Sequence, residues 1–191
     1  AIFGVAKARA AFGKHIITSQ VEHHAVLHAC ERLEKEGYEI TYLPVNEQGE
    51  VSVADVQKAL RDDTILVTIM YGNNEVGTIQ PIQAIGELLT DHTALFHTDA
   101  VQAYGLEEIN VETLRVDFLS VSGHKINGPK GIGFLYVRKG IKLKPLIYGT
   151  QSNGLRGGTE NIPYIAGLGK AIEELREKTS NSLCYLEVAY V

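Results

Sequence analysis

Short apolar runs alternate with stretches of helical periodicity along this chain of 191 residues. Four runs, at 15–19, 64–70, 94–100 and 117–123, are dominated by apolar and β-branched residues, which is typical of strands. Between the first two, the segment 22–38 places apolar residues at the spacing of one helix face. Apolar strands that alternate with helices indicate a mostly parallel sheet covered on both faces. The pattern therefore predicts an α/β fold with three layers, αβα.

The same criteria predict the remaining elements. Further strands are expected at 39–45 and 131–139, and helices at 1–14, 52–60, 82–92 and 162–178, with a weaker helical stretch before residue 117. Ser52 is expected to begin its helix as the N-cap, because a serine side chain can accept a hydrogen bond from a free backbone N–H. No repeat or linker interrupts the sequence, so a single domain is expected.

Composition and charge narrow the functional classes. Hydrophobic residues make up 45% of the chain and charged residues 21%, as in ordinary globular proteins. The net charge of −5 gives no reason to expect a nucleic acid or an anionic membrane as a partner, and no apolar run is long enough to span a membrane. Two cysteines, Cys30 and Cys184, cannot form a disulfide framework, which favours a cytoplasmic protein. The chain starts inside a helical pattern, so we expect a piece of a longer protein.

Polar side chains follow several predicted strands at the points where those strands end. In an open α/β sheet, ligands bind beyond the carboxyl ends of the strands, so side chains that follow different strands can meet at one edge. The segment 117–125 contributes a serine, a histidine and a lysine, and the other strands contribute two amides, a carboxylate and an imidazole. These candidate residues are His23, Asn74, Asp99, Gln102, Ser122, His124 and Lys125.

Each candidate also has a simpler interpretation. Asp99 is suited to cap a helix that follows it, and Lys125 alone is typical of a solvated surface charge. His23 stands where a helix starts, which explains it without any ligand. His24 and His28 have the i, i+4 spacing of a metal-binding pair, but the sequence offers no evident third ligand. The "GPKGIG" segment lacks both nucleotide-binding glycine patterns, so no nucleotide site is predicted.

One cofactor uses this set of groups together. Pyridoxal phosphate needs a lysine that holds it as a Schiff base and an acid that keeps its pyridine nitrogen protonated, so that the ring acts as an electron sink. It also needs a flat group over the ring, hydrogen bonds to the ring oxygen, and donors for the phosphate. Glycines around the lysine would let the backbone approach a bulky cofactor. Lys125 would be the lysine, Asp99 the acid and His23 the flat group over the ring. The ring oxygen would be bound by Asn74 with Gln102, and the phosphate by Ser122 with His124.

Five segments resemble, in order and spacing, the cysteine desulfurases of the fold-type I, class V aminotransferase group. They are "HIITSQVEHHAV", "ILVTIMYGNNEVGTIQP", "FHTDAVQAYG", "DFLSVSGHKINGPKGIGFLYVRKG" and "LRGGTEN". The resemblance implies a PLP-binding large domain of the aspartate aminotransferase-like transferase fold over residues 1–178. It also implies a homodimer that converts L-cysteine to L-alanine and passes the sulfur, as a persulfide, to a scaffold or acceptor protein of iron–sulfur cluster assembly.

The same resemblance assigns a role to each candidate. Lys125 would be the Schiff-base lysine, Asp99 the partner of the pyridine nitrogen, and His23 the ring-stacking residue that also acts as acid and base. Thr159, in "RGGTEN", would reach the phosphate bound by the other subunit. The ring oxygen and the phosphate would be bound, respectively, by Asn74 with Gln102 and by Ser122 with His124. Lys125 and His23 are thus the expected catalytic residues.

Other segments of the family have no counterpart in the sequence. The family's phosphate loop would precede residue 1, and its catalytic cysteine and substrate-binding arginine would follow the last predicted helix. Cys30 falls inside a predicted helix and is expected to be a small buried side chain. Cys184 lies in 179–191, which we interpret as an atypical tail. We therefore expect a domain truncated at both ends, with weak cofactor binding and partial chemistry.

Two alternatives remain open. Within the group, the chain could belong to another class V enzyme, such as a selenocysteine lyase or an aminotransferase. Outside enzymology, it could be a non-catalytic fragment that acts only through protein contacts. The enzymatic and non-catalytic interpretations differ in whether pyridoxal bound to a lysine can be detected.

Overall fold

A single sheet organises the computed structural model, which describes residues 1–178. Its strands are β1 (His15–Ser19), β2 (Glu39–Leu43), β3 (Thr64–Thr68), β4 (Leu95–Asp99), β5 (Phe118–Ser122) and β6 (Gly133–Val137). Across these residues the order is β2-β1-β3-β4-β5-β6, and every neighbouring pair is parallel except β5 with β6, which is antiparallel. The predicted mostly parallel sheet is therefore confirmed.

Helices connect the strands in the predicted alternation. They are α1 (Ile2–Arg9), α2 (His24–Lys35), α3 (Val53–Ala59), α4 (Ile82–Leu88), α5 (Val111–Leu114) and α6 (Ile162–Lys178). Two short 3-10 turns, Gly123–Ile126 and Ser152–Gly154, complete the regular structure of this part of the chain. No helix within residues 1–178 has the length and apolar character needed to cross a membrane.

Apolar side chains pack on both faces of the sheet. Neighbouring strand residues point to opposite faces, so Ile16 joins one core and Ile17 the other. The first core includes residues of α1 and α2, such as Val5 and Leu33. The second core includes residues from the helices of the opposite layer, among them Val56, Ile85, Leu114 and Leu168. The three-layer αβα arrangement is confirmed, with the sheet between two layers of helices.

The structure refines several predicted boundaries. The strand expected over 64–70 ends at Thr68, although the backbone N–H of Ile69 still donates a hydrogen bond to the His97 carbonyl at 3.1 Å. Ser52 occupies the N-cap position of α3, but its hydroxyl makes no capping bond within the described part of the chain. The weaker helical stretch is reduced to the four residues of α5.

Cys30 lies in α2 and is fully buried, as expected of a small apolar side chain. Burial raises the pKa of its thiol to about 12, so the reactive thiolate does not form near neutral pH. Cys184 and the predicted tail 179–191 lie outside the described residues.

Candidate functional site

A cavity of about 350 Å³ opens at the edge of the sheet where the parallel strands β1, β3, β4 and β5 end. The segments that follow these four strands provide its walls. Seven of the eight predicted site residues line it: His23, Asn74, Asp99, Gln102, Ser122, His124 and Lys125. The eighth, Thr159, is exposed on the segment that follows β6 and is not part of this lining in residues 1–178.

His23 stands at the start of α2 and lines the cavity as well. Its backbone is extended, with φ of −60° and ψ of 148°, and its Nδ1 atom accepts a hydrogen bond from the backbone N–H of Ala25 at 3.1 Å. A neutral imidazole that accepts through Nδ1 has its proton on Nε2. The predicted helix-start role is therefore confirmed, and it is compatible with a place in the cavity wall.

His24 and His28 stack on the exposed side of α2, with ring centroids 5.2 Å apart and planes inclined by 3°. Within the described residues, no group of three or more potential metal ligands lies together. Two histidines are fewer than the four ligands that a structural zinc site needs.

Asp99 ends β4 and lies half-buried at the cavity. Its Oδ1 atom accepts a hydrogen bond from the backbone N–H of Val101 at 3.0 Å. This bond caps a turn and not the expected helix, since residues 101–103 form a turn and the next helix along the chain is α5. Burial raises the pKa of the Asp99 carboxyl, while the Val101 N–H and the nearby His23 act in the opposite direction. A cation beside Asp99 would therefore favour the ionised carboxylate.

Lys125 lies on the 3-10 turn Gly123–Ile126, directly after β5. The Ser122 hydroxyl and Nδ1 of His124 are hydrogen-bonded at 2.7 Å, next to the lysine in sequence. The side chains of His124 and Lys125 are exposed, so both can reach a ligand in the cavity. The end of β5 thus presents a hydroxyl, an imidazole and an amine together, which is a suitable set for an anionic ligand.

The glycines around Lys125 are required by packing within the chain. A Cβ atom on Gly133 would lie 2.3 Å from the Val121 carbonyl oxygen, and one on Gly128 would lie 2.9 Å from the Gly123 oxygen. Both distances are shorter than real Cβ contacts, so glycine is needed at 133 for β6 to lie against β5 and at 128 for the chain to fold back on the lysine turn. Packing within the chain therefore already requires glycine at these two positions, and the expectation that the glycines also make room for a cofactor stays a prediction.

The predicted site residues leave out several residues at or near the cavity, among them Met70, Gly72 and Glu22. The apolar pattern places Met70 inside a strand, but β3 ends two residues earlier and Met70 lines the cavity together with Gly72. Glu22, next to His23, is only 5% exposed. The sequence signal for Glu22 was its position between an apolar strand and the start of a helix. An acidic residue in such a place can cap the helix or form buried hydrogen bonds with a neighbouring segment.

Comparison with known proteins identifies the family. The profile described as "Aminotransferase class-V" matches residues 1–183. The "Putative cysteine desulfurase IscS 1" of Bacillus subtilis (strain 168) is 62% identical over 174 residues, which cover 91% of this chain and 46% of the relative. The "Cysteine desulfurase IscS" of Methanosarcina thermophila is 57% identical over 174 residues, 91% of this chain and 43% of the relative. The chain spans about half the length of the curated relatives it matches.

Solved structures give the same result. A "NifS-like protein" superposes with a TM-score of 0.89 at 41% identity, over 93% of this chain and 49% of that chain. A structure titled "SspA in complex with cysteine" has a TM-score of 0.86 at 47% identity, over 89% of this chain and 50% of that chain. Since the family profile covers almost the whole sequence and these relatives align along about nine-tenths of it, the chain belongs to the class-V aminotransferase family.

Proposed function

We propose that this chain contributes the cofactor-binding part of a pyridoxal phosphate-dependent cysteine desulfurase. The observation that supports the proposal most directly is that one cavity is lined by seven of the predicted site residues. Relatives named as cysteine desulfurases, and a similar structure titled as a complex with cysteine, support the substrate. The whole enzyme would convert L-cysteine to L-alanine and pass the sulfur to a protein acceptor in iron–sulfur cluster assembly.

The donor set of the cavity fits pyridoxal phosphate. Its volume of about 350 Å³ lies within the range of small-molecule sites. The walls hold an amine on Lys125, a carboxylate on Asp99 and an imidazole on His23. The bonded Ser122 and His124 pair adds polar groups beside the amine, as a phosphate requires. When bound, the cofactor would supply an electron sink for the substrate's α-carbon.

Each side chain then has a defined task. Asp99 would hold the protonated ring nitrogen, and this cation would offset the effect of burial on the Asp99 pKa. Lys125 would bind the cofactor covalently through Nζ and would accept or donate a proton at that atom. His23 would lie against the ring and exchange a proton at Nε2, because its Nδ1 is bonded to the Ala25 N–H. The ring oxygen would be held by Asn74 and Gln102, and the phosphate by Ser122 and His124.

Thr159 would act in a homodimer, as part of the same proposal. It lies outside the cavity lining, on a segment that also exposes the large side chains of Ile147 and Tyr148. A hydroxyl presented by such a segment would reach the phosphate bound in the other subunit. We infer a cytoplasmic homodimer whose partners are the sulfur acceptor and the scaffold of cluster assembly.

Absorption spectroscopy with Lys125→Ala tests the proposal. The purified chain mixed with pyridoxal phosphate should develop a band near the visible edge that borohydride removes, because reduction traps the cofactor on the lysine. Lys125→Ala should lack the band, whereas Lys130→Ala should retain it, since Lys130 is exposed and outside the lining. A band retained in Lys125→Ala would refute the assignment of the lysine. The absence of a band in every protein would favour the non-catalytic alternative.

A further inference from the structure

Glu22 is a buried carboxyl group directly before His23. Its side chain is only 5% exposed, although glutamate is rarely buried. Its Oε1 atom accepts two hydrogen bonds, from the Ser19 hydroxyl at 2.6 Å and from the backbone N–H of Met70 at 2.9 Å. Its Oε2 atom has no hydrogen-bond partner in the part of the chain that the structure describes. The carboxyl group thus joins the end of β1 to the residues that follow β3.

A second connection joins the same two segments. The Asn73 side-chain amide donates to the Val21 carbonyl at 3.0 Å, and its Oδ1 accepts from the backbone N–H groups of Glu75 and Val76 at 2.8 and 3.0 Å. Asn73 therefore orders the loop that carries Asn74 and ties it to the turn that carries His23. Glu22 and Asn73 together fix two walls of the cavity relative to each other.

The surroundings favour the uncharged form of Glu22. Among the described residues, the titratable groups that interact with it are Asp99, at the end of β4, and Cys30, in α2. Burial raises the pKa of Glu22 to about 8, and the charge of Asp99 acts in the same direction, while the bonds from Ser19 and Met70 oppose it. A neutral Glu22 places no second negative charge beside the Asp99 carboxyl.

We propose that Glu22 is a positioning residue, which holds the turn before α2 against the end of β3 and thereby sets the place of the His23 ring in the cavity. The positioning of the His23 ring does not depend on the proposed function. Its consequence, the stacking of His23 on the cofactor, rests on the proposed function. Glu22 acts as a neutral acid, so glutamine should replace it: the amide oxygen can accept both hydrogen bonds, and the amide group cannot ionise. Alanine should not replace it, because two buried donors would lose their acceptor.

Nitrogen NMR of the His23 ring, in the chain without cofactor, tests the positioning directly. The wild type should show the pattern of a ring protonated on Nε2, since Nδ1 accepts from Ala25, with an inflection near pH 8 as Glu22 ionises. Glu22→Gln should keep the Nε2–H pattern and lack that inflection. Glu22→Ala should lose the pattern. Should Glu22→Ala not fold, Ser19→Ala, which removes one donor to Oε1, should shift the pattern part of the way.

Titration with pyridoxal phosphate tests the consequence. Glu22→Gln should bind with a Kd within about twofold of the wild type, and Glu22→Ala about tenfold more weakly. Glu31→Ala, on the exposed face of α2, should match the wild type. The proposal is overturned if His23 has the same tautomer pattern in wild type, Glu22→Ala and Ser19→Ala. If the wild type itself binds no cofactor, the proposed function fails, while the His23 spectra still decide the role of Glu22.

Discussion

At the scale of single residues, two cavity side chains also complete the backbone around them. His23 accepts a hydrogen bond from the Ala25 N–H, and Asp99 accepts one from the Val101 N–H. Each bond fixes one polar atom and so restricts the orientation of the group. A local role, as the helix cap at His23 and as the cap of a turn at Asp99, is therefore compatible with a ligand-binding role for each residue.

Replacement of Asp99 by asparagine should weaken cofactor binding. An amide keeps the shape of the group and can still accept from the Val101 N–H, but it has no charge to hold a protonated ring nitrogen. We expect the Kd for pyridoxal phosphate to rise about tenfold or more, since a hydrogen bond to a charged partner is lost. Fluorescence or absorption titration at pH 8 would measure it. Asp91→Asn, at an exposed position, is the matched control, and equal affinity in both variants would contradict the prediction.

At the scale of elements, buried histidines connect neighbouring strands. Nδ1 of His97 in β4 lies 2.7 Å from the Thr68 hydroxyl of β3, and its Nε2 lies 2.9 Å from the Ser120 hydroxyl of β5. His15 in β1 makes the same kind of connection between β2 and β3. These side-chain bonds add to the backbone ladders and fix the strands whose ends form the cavity.

Replacement of His97 by glutamine should change how stability depends on pH. Burial lowers the pKa of His97 to about 3, so between that value and about 6.5 the unfolded chain binds more protons at this site than the folded one. The free energy of unfolding therefore decreases as the pH falls through this interval. At pH 8 we expect His97→Gln to cost about 1–3 kcal/mol. The difference from wild type should shrink towards pH 5, by at most about 1.4 kcal/mol per pH unit.

Urea unfolding at pH 8, 6.5 and 5 measures this difference, because the other titrating groups are common to both proteins. His28→Gln, on the exposed side of α2, is the matched surface control for the loss of an imidazole. A constant difference for His97→Gln would show that the His97 pKa is not depressed in the folded protein.

Two helical glycines should respond oppositely to alanine. A Cβ atom on Gly86 in α4 would lie 2.1 Å from the Leu114 carbonyl oxygen, whereas one on Gly169 in α6 would meet no other atom of the described residues within 4 Å. Gly86→Ala should lower the free energy of unfolding by about 1–3 kcal/mol, because α4 and α5 must move apart. Gly169→Ala should raise it by up to about 1 kcal/mol through helix propensity. Thermal melting of both variants checks the contrast, and equal shifts would contradict it.

At the scale of the whole molecule, the segment between β6 and α6 is unusually apolar for a surface. Leu146, Ile147 and Tyr148 are 55%, 52% and 78% exposed, and Ile162 and Tyr164 continue the trend at the start of α6. Exposed apolar surface of this kind marks an interaction site or promotes association. This segment also carries the residue proposed to serve a second subunit.

A charge placed in this segment should reduce self-association of the chain. Ile147→Glu would put a carboxylate on the exposed apolar surface, where desolvation on contact is costly. Sedimentation velocity over a range of concentrations should show a smaller associated fraction than in wild type. Leu106→Glu, at a position 83% exposed elsewhere on the molecule, is the control and should leave the association unchanged. Equal effects of the two substitutions would show that this segment is not the contact surface.

The pattern of apolar and polar residues along the chain determined much of the fold. The strand over 15–19 and the helix over 162–178 occupy the predicted residues, because side-chain periodicity records which face is buried. The same pattern placed Asp99 and Lys125 at the ends of predicted strands. Parallel strands bring their carboxyl ends to one edge of the sheet. Seven residues predicted from strand ends therefore line one cavity.

Only the tertiary structure decided how those residues are supported. The buried Glu22 accepts a hydrogen bond from the Met70 N–H, 48 positions away in sequence, and no local pattern contains that contact. Similarly, glycine is needed at Gly133 because β6 lies against the Val121 carbonyl of the neighbouring strand β5. The sequence by itself determined the elements, their order and the chemical groups at the strand ends. Burial, pKa and the contacts between segments depend on what packs against each group, and this is fixed only when the chain is folded.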